Sequence, residues 1–541
     1  MSTPLRNMLQ QEALSVVLAR PWISTGIFIP LIILLIDYLN YYRLRKRLGN
    51  IPVVGDASYL WRRLRWTETD ASFQKVFQKG YDTFSKKAKP FAFWGQNEDF
   101  VIILPPGSCE DVKNVGPEKL SFLQAVEDIS PVDVHAQSYH FNLHTNILGR
   151  SHVDAVRQSV NKNMNQLHEI VVKKADETIP NLFDDFATTN EPFAAFLTIW
   201  HLVNIVSASY LVGPEFSDNA EYLQAIEYYC ITVPAFIYGY FWVPAPLRRL
   251  YWYLSPQGFK IRACKAKLKA FVAPKIRQVI KTWQEEGQVS GSYTLLGAML
   301  ELKAQRGQIK QDPKAMTNAE LERQVDIFSD EMIFTGFDSA GPVACMVTQL
   351  VFEAMRDKDL TRALRDEIEA ALAANNGEWN TQVLTSVPKL DSFTRESLRV
   401  NGPTLLSVSR TVMEPMELKS GLRLKRGNII SNASWLIHND EDHYKQAHEF
   451  DPYRFYDEKT NKVTTKVTTA SSSFLGYGYG AQMCPGRHLG IRMSQILFAK
   501  LLMQYNGEFE NARAGKPPNI VTSGQVLPPY HTKVIMKHRK A

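Results

Sequence analysis

The run VDIFSDEMIFTGFDSAGPVACMVTQLVF, from Val325 to Phe352, limits the folds open to this chain. After Glu331 it is apolar on nearly every side, apart from a polar knot at Thr335 to Ser339. A helix that is hydrophobic all round has no face for solvent and must be wrapped by other elements. The chain therefore needs a large core, and 541 residues with 45% hydrophobic content can supply one. Pro342 lies inside the run. It has no N–H, so the carbonyl of Asp338 loses its i+4 donor and the helix is expected to bend there. A buried helix with a packing kink would explain the proline but not the polar knot.

Around this run the periodicity is mostly helical. Leu360 to Leu372 places Leu360, Leu364, Ile368 and Leu372 on one stripe, with charges elsewhere. Strand-like runs are fewer: Phe100 to Pro106, Leu422 to Ser431 and Thr532 to Lys537. There is no repeat, and no Pro/Gly/Ser-rich linker divides the body. The expected fold class is mainly α with a small β portion, as one large domain over residues 56–541.

Residues 21–42, PWISTGIFIPLIILLIDYLNYY, are apolar from Trp22 to Ile36 except for Ser24 and Thr25. A spanning helix takes about 20 residues. Here the length suffices only if Tyr38, Tyr41 and Tyr42 sit at the headgroup level. Arg43, Arg45, Lys46 and Arg47 follow at once. The expectation is a short lumenal segment (1–20), a transmembrane anchor (21–42), and a basic stop-transfer cluster and proline hinge through IPVVG (43–55). The positive-inside rule then puts the body in the cytosol. A cleaved signal peptide is the alternative, but no small-residue cleavage site follows.

The net charge of +7 is too mild to imply nucleic acid; it suits an anionic membrane or an acidic partner. Five scattered cysteines, with no C-x-x-C, exclude a disulfide framework. Cys484 and His488 could share a zinc ion, but no further ligands stand at finger-like spacing.

Cys484 lies in FLGYGYGAQMCPGRHLG (474–490). Gly476, Gly478 and Ala481 match a loose phosphate fingerprint, but no β-α-β unit surrounds them. Glycines ahead of the cysteine allow close approach to a flat ligand. Pro485 is suited to open a helix, whose N–H groups would stabilise a thiolate. Such a thiolate is a good axial ligand for haem iron. Elsewhere, Glu396 and Arg399 are i, i+3 neighbours in ESLR, and Phe450 to Phe455 read FDPYRF.

Taken together, these residues resemble the cytochrome P450 family. Tyr477 to Gly486 is similar to its haem loop F-x-x-G-x-R-x-C-x-G, with Gly480, Cys484 and Gly486 matching. Tyr477 replaces the family's Phe, and Gln482 its usual Arg or His. Glu396 and Arg399 match E-x-x-R. FDPYRF resembles F-x-P-x-R-F, with Arg454 as its arginine. Thr335 to Ser339 resembles A/G-G-x-D/E-T, with Ser339 in place of Thr.

The resemblance implies a P450 fold holding haem b (iron protoporphyrin IX) on the Cys484 thiolate. Gly480 and Gly486 shape the loop, and Arg410, Gln482 and Arg157 are candidate haem contacts. His152 stands near the place of the tryptophan that usually accompanies that last arginine. Glu396, Arg399 and Arg454 are implied as a buried ionic network. Asp338 and Ser339 are the catalytic candidates, as proton carriers. The implied partners are an NADPH–cytochrome P450 reductase, a membrane and an apolar small-molecule substrate. Filamentous-fungal enzymes that tailor terpenoids or alkaloids are the similar members. The implied location is the endoplasmic reticulum membrane, single-pass, with the catalytic domain cytosolic. The basic run Lys265 to Lys281, with Arg487 and His488, could steer an acidic reductase, or be a solvated helix face. Ile231 to Leu247 is read as a lid or a core segment. An oxygen-independent rearrangement or dehydration, or a non-enzymatic haem sensor or carrier, remain as other classes.

Overall fold

The apolar run becomes a single helix of 39 residues, Asn318–Arg356. In the computed structural model, which describes residues 21–55, 57–60, 71–135, 151–289, 291–522 and 524–540, this helix is the axis of the molecule. A capping box starts it: Thr317 N–H donates to Glu320 Oε2 (2.7 Å), and Glu320 N–H donates to Thr317 Oγ1 (3.2 Å). Asp357 ends it and caps the next helix, Lys358–Ala373, by accepting from the N–H groups of Asp359 and Leu360. In that helix Leu360, Leu364 and Ile368 are buried, and Ala371 rather than Leu372 completes the stripe.

Helices Ala195–Leu211, Pro256–Glu286, Pro388–Asn401 and Arg487–Gln504 pack against the axis. Four of its charged partners come from two neighbours. Lys265 and Lys269 reach Asp330 at 2.9 and 3.1 Å, and Lys303 reaches the buried Glu331 at 3.0 Å. Lys275 pairs with Glu215 at 2.7 Å and Arg277 with Glu322. The basic run 265–281 therefore does not offer an open cationic face. Much of its charge is neutralised within the protein, some of it deep inside.

Among the described residues the largest sheet has five strands in the order Phe91–Trp94, Phe100–Leu104, Ile429–Asn432, Ser407–Val412, Leu120–Ser121. Only the second and third run parallel. It covers a second apolar cluster that includes Phe91, Ile102, Ile103 and Ile430. The hinge IPVVG is part of this layer. Ala92 N–H donates to Pro52 O and Val54 N–H to Ala92 O, both at 2.8 Å, so the segment lies along the sheet edge.

The helix expected to end at residue 42 continues to Leu48, through the basic cluster. Its described outer residues, Phe28 to Leu39, are largely exposed. Among the described residues no helix is long and apolar enough to cross a membrane. The expected spanning anchor is therefore not shown among the described residues. The segment 1–20, expected to be lumenal, lies outside the described residues.

The Lys303–Glu331 pair gives a test of how the axis is held. Breaking one partner of such a buried pair costs roughly 3–5 kcal/mol. Lys303→Met is expected to lose that much in chemical denaturation followed by far-UV circular dichroism. Adding Glu331→Gln should recover most of it.

Candidate functional site

Glu396 and Arg399 lie on Pro388–Asn401, a helix buried along most of its length. Arg399 Nε and Nη2 each donate to a Glu396 oxygen at 2.7 Å, and neither side chain is exposed. The remaining N–H groups of Arg399 donate to the carbonyls of His438 (2.6 Å), Ala447 (2.7 Å) and Glu449 (3.0 Å). Arg454 Nε donates to both Glu396 oxygens at 3.1 Å, and Asp451 N–H donates to Oε1 at 3.0 Å. The three residues therefore meet as one network.

The loop carrying Cys484 sits beside this network. Gly478 and Gly480 have φ of 75° and 79°, in the left-handed region that favours glycine. Gly480 also lies so close to Lys113 that a Cβ would fall 1.9 Å from its carbonyl oxygen. Cys484 N–H donates to Tyr477 O at 2.8 Å and closes the turn. The following helix begins at Arg487, two residues after Pro485. Burial and the Asp338 carboxylate push the Cys484 thiol up; the Gly486 and Arg487 backbone N–H groups and the Arg487 charge oppose this.

Cys484 and Asp338 are both open to free space, although both lie deep in the molecule. The two residues come from different elements, and the Asp338 carboxylate is near enough to act on the Cys484 thiol. Pro342 is exposed, and a Cβ on Gly341 would meet nothing within 4 Å. Burial raises the Asp338 carboxyl above the usual range. Ser339 Oγ donates to Gly336 O at 3.4 Å. Phe334 and Phe337, on the same helix, are partly open.

Arg410 is 1% exposed. Its Nη1 donates to Ser409 O at 2.6 Å and its guanidinium stands over the Phe122 ring, but Nε and Nη2 have no partner among the described residues. Burial pulls its pKa down to about 10. A buried cation with two unused donors is suited to a carboxylate. A register shift between Ser407 and Arg410, with Val408 at φ 55°, sets its position; a buried valine in that region is strained.

Arg157 Nη2 donates to Ala481 O at 2.9 Å, so it reaches the cysteine loop itself. Gln482, expected to face the cofactor, is turned elsewhere. Its Nε2 donates to Val115 O (3.1 Å) and Leu120 O (2.7 Å), and its Oε1 accepts from Phe122 N–H at 2.9 Å. Both amide hydrogens are used, because the neutral side chain finds backbone carbonyls at the end of the sheet. Gly486 has free space where a side chain would be.

The chemistry of these residues fits a haem: an accessible sulfur at the end of a glycine-rich loop and a buried guanidinium with two unused donors. Sequence reasoning missed two contributors. Phe122 links Gln482 to Arg410, and His438 joins the ionic network to the cysteine loop. Neither carries a spacing signal, since both act through contacts distant in sequence.

A family model for Cytochrome P450 matches residues 77–536. Cytochrome P450 monooxygenase verB of Clonostachys rogersoniana is 78% identical, over 96% of this chain and 100% of its own length. Bicoumarin synthase desC of Aspergillus desertorum is 27% identical, with 90% of each chain covered. A retinoic acid-bound cyanobacterial CYP120A1 structure superposes with a TM-score of 0.65, covering 90% of this chain and 99% of that one, at 16% identity. That last likeness concerns the fold.

Glu396→Ala leaves two guanidiniums facing each other in the interior, and Arg399→Ala leaves a buried carboxylate with one cation. Either is expected to cost about 3–5 kcal/mol and to yield protein with little haem by absorbance. Arg410→Met is expected to fold yet lose haem faster to an apo-haem acceptor.

Proposed function

Because the chain belongs to the cytochrome P450 family and is a monooxygenase of that family, we propose that it oxidises an apolar small molecule. The class proposed is a terpenoid, an alkaloid or a similar secondary metabolite, hydroxylated or oxidised further with O2 and electrons from an NADPH–cytochrome P450 reductase. The observation that carries the reading is the accessible Cys484 sulfur, presented by its glycine-rich loop, with the Asp338 carboxyl near enough to act on it. The cofactor in this proposal is haem b, which would supply oxygen activation when held by Cys484 with a propionate on Arg410.

The chain's own residues do the rest. Phe334 and Phe337 give the site an aromatic wall that excludes water and favours an apolar guest. Asp338 and Ser339 are the polar break in that wall. A carboxyl raised by burial keeps its proton to higher pH than an exposed one and can release it inward. These two groups support oxygen activation over an oxygen-independent rearrangement, and an enclosed proton-carrying site supports an enzyme over a sensor or carrier. The name of the relative from Aspergillus desertorum supports a second reading, in which two substrate molecules are joined.

We also propose that the protein sits at the endoplasmic reticulum membrane with its body in the cytosol. The exposed apolar residues of Pro21–Leu48 support this. So do Trp242, Leu250, Tyr253 and Leu254, which belong to a segment packed beside that helix. The region read as a lid or a core segment is mixed: Val233 and Phe236 are buried, while Ile231 and Tyr238 are exposed. Arg487 is left as a cation for a reductase at the cysteine loop. His488 is held below the usual imidazole range by burial and by Arg487.

Co-expression with a reductase, fed polycyclic scaffolds, is expected to give products heavier by one oxygen. A product of twice the substrate mass less two hydrogens would favour the joining reading, and turnover without NADPH the rearrangement. Asp338→Asn is expected to slow turnover and to release more hydrogen peroxide per NADPH. Cys484→Ser should abolish the strongly red-shifted Soret band of the ferrous carbon monoxide complex. Full release of the protein by carbonate would remove the membrane proposal.

A further inference from the structure

His438 is buried at the end of a short helix, Ser434–His438, and its ring stacks on Phe474, with centroids 5.3 Å apart. Its two nitrogens do different work. Leu475 N–H donates to Nε2 at 2.8 Å, so that nitrogen is the acceptor. The proton must then be on Nδ1, which donates to Arg399 O at 3.2 Å. The His438 carbonyl in turn accepts from Arg399 Nη1 at 2.6 Å. The residue is thus bound twice to the arginine of the ionic network and once to the loop that carries Cys484.

Leu475 is where this tie takes hold. Its carbonyl accepts from Ser407 Oγ (2.7 Å), on the strand that bears Arg410, and from Gly478 N–H (2.9 Å), at the turn. Tyr477 O then receives Cys484 N–H at 2.8 Å. From Arg399 to Cys484 these hydrogen bonds are linked through the backbone of Leu475 and the Tyr477–Gly478 peptide, with one side-chain ring in the path, His438. Burial and the neighbouring Arg399 hold that ring in its neutral form, which alone can accept and donate at once.

We infer that His438 is a positioning residue for the cysteine ligand: it locks the Leu475 peptide to the Glu396–Arg399–Arg454 network and so fixes where the Cys484 sulfur is presented to iron. This rests on Cys484 being the iron ligand. It goes further in assigning the ligand's placement to one imidazole rather than to the loop's own turn. Without that bond the loop keeps its glycines and its turn but loses its register against the network. The sulfur is then held less well, although the cofactor space is unchanged.

Three variants test this by spectroscopy, independently of turnover. His438→Phe keeps the ring on Phe474 and removes both hydrogen bonds. His438→Asn keeps an amide near the position of Nδ1 and cannot reach Leu475. His438→Gln offers one donor and one acceptor at about the spacing of the two ring nitrogens. The readout is the ferrous carbon monoxide complex: the ratio of the red-shifted band to the ordinary one, and its decay with time. A hydrogen bond of ordinary strength corresponds to roughly a fivefold change in an equilibrium.

The ratio is expected to fall by roughly that factor or more in His438→Phe and His438→Asn, at unchanged total haem, and to be largely restored in His438→Gln. A wild-type ratio in His438→Phe would overturn the inference. If His438→Phe fails to fold, the other two decide: equal ratios in His438→Asn and His438→Gln overturn it, and a gap between them supports it. Absence of the red-shifted band from the wild type itself would instead sink the thiolate reading.

Discussion

A carboxylate with no exposed surface, Glu396, is held by two guanidiniums, and much of the molecule is organised around that charge. Taking an ion out of water costs several kcal/mol, and good geometry with further hydrogen bonds is needed to repay it. Here the geometry is a two-pronged grip from Arg399, a shared contact from Arg454 and a backbone N–H from Asp451. Two cations against one anion leave an excess positive charge. Carbonyls of His438, Gln446, Ala447 and Glu449 disperse it. The segment 438–454 has little regular structure, so these bonds give it much of its order. The network fixes the bed on which the cysteine loop lies.

The site then follows from placing two opposed surfaces. One is the loop, tight enough at Gly478 and Gly480 to bring Cys484 inward. The other is the axial helix, which carries Asp338 and Ser339. Arg410 enters from the sheet, aimed by a bulge and a strained valine. Three separate layers thus contribute one group each. A displacement in any of them changes the distance between the Cys484 sulfur, the Arg410 guanidinium and the Asp338 carboxyl.

Motif chemistry was legible in the linear order of residues. Cys484, Glu396, Arg399, Arg454 and the polar knot at Thr335 to Ser339 stand out because their local pattern is short and physically specific. The axial helix was legible because nothing else suits so long an apolar run. Gln482 was not: its position suggests a cofactor contact, but an uncharged amide goes to the nearest backbone carbonyls, and those belong to residues far away in sequence. The ion pairing of the basic run 265–281 was likewise not legible. Sequence lists its lysines but not the acids of the axial helix that meet them. The N-terminal helix ran past its expected end because a basic cluster of good helix formers does not by itself break a helix.

The sequence by itself determined that this protein would be a large helical body around one buried axis, with a single cysteine presented by a glycine-rich loop. Periodicity and local turn chemistry act over a few residues, and they need no partner to be read. The tertiary structure alone decided that Arg410 would keep two donors unused, that Gln482 would serve as a strut, and that His438 would tie the ionic network to the cysteine. Those outcomes depend on which carbonyls and carboxylates come within hydrogen-bond reach, and that is settled only when segments distant in the chain are packed together.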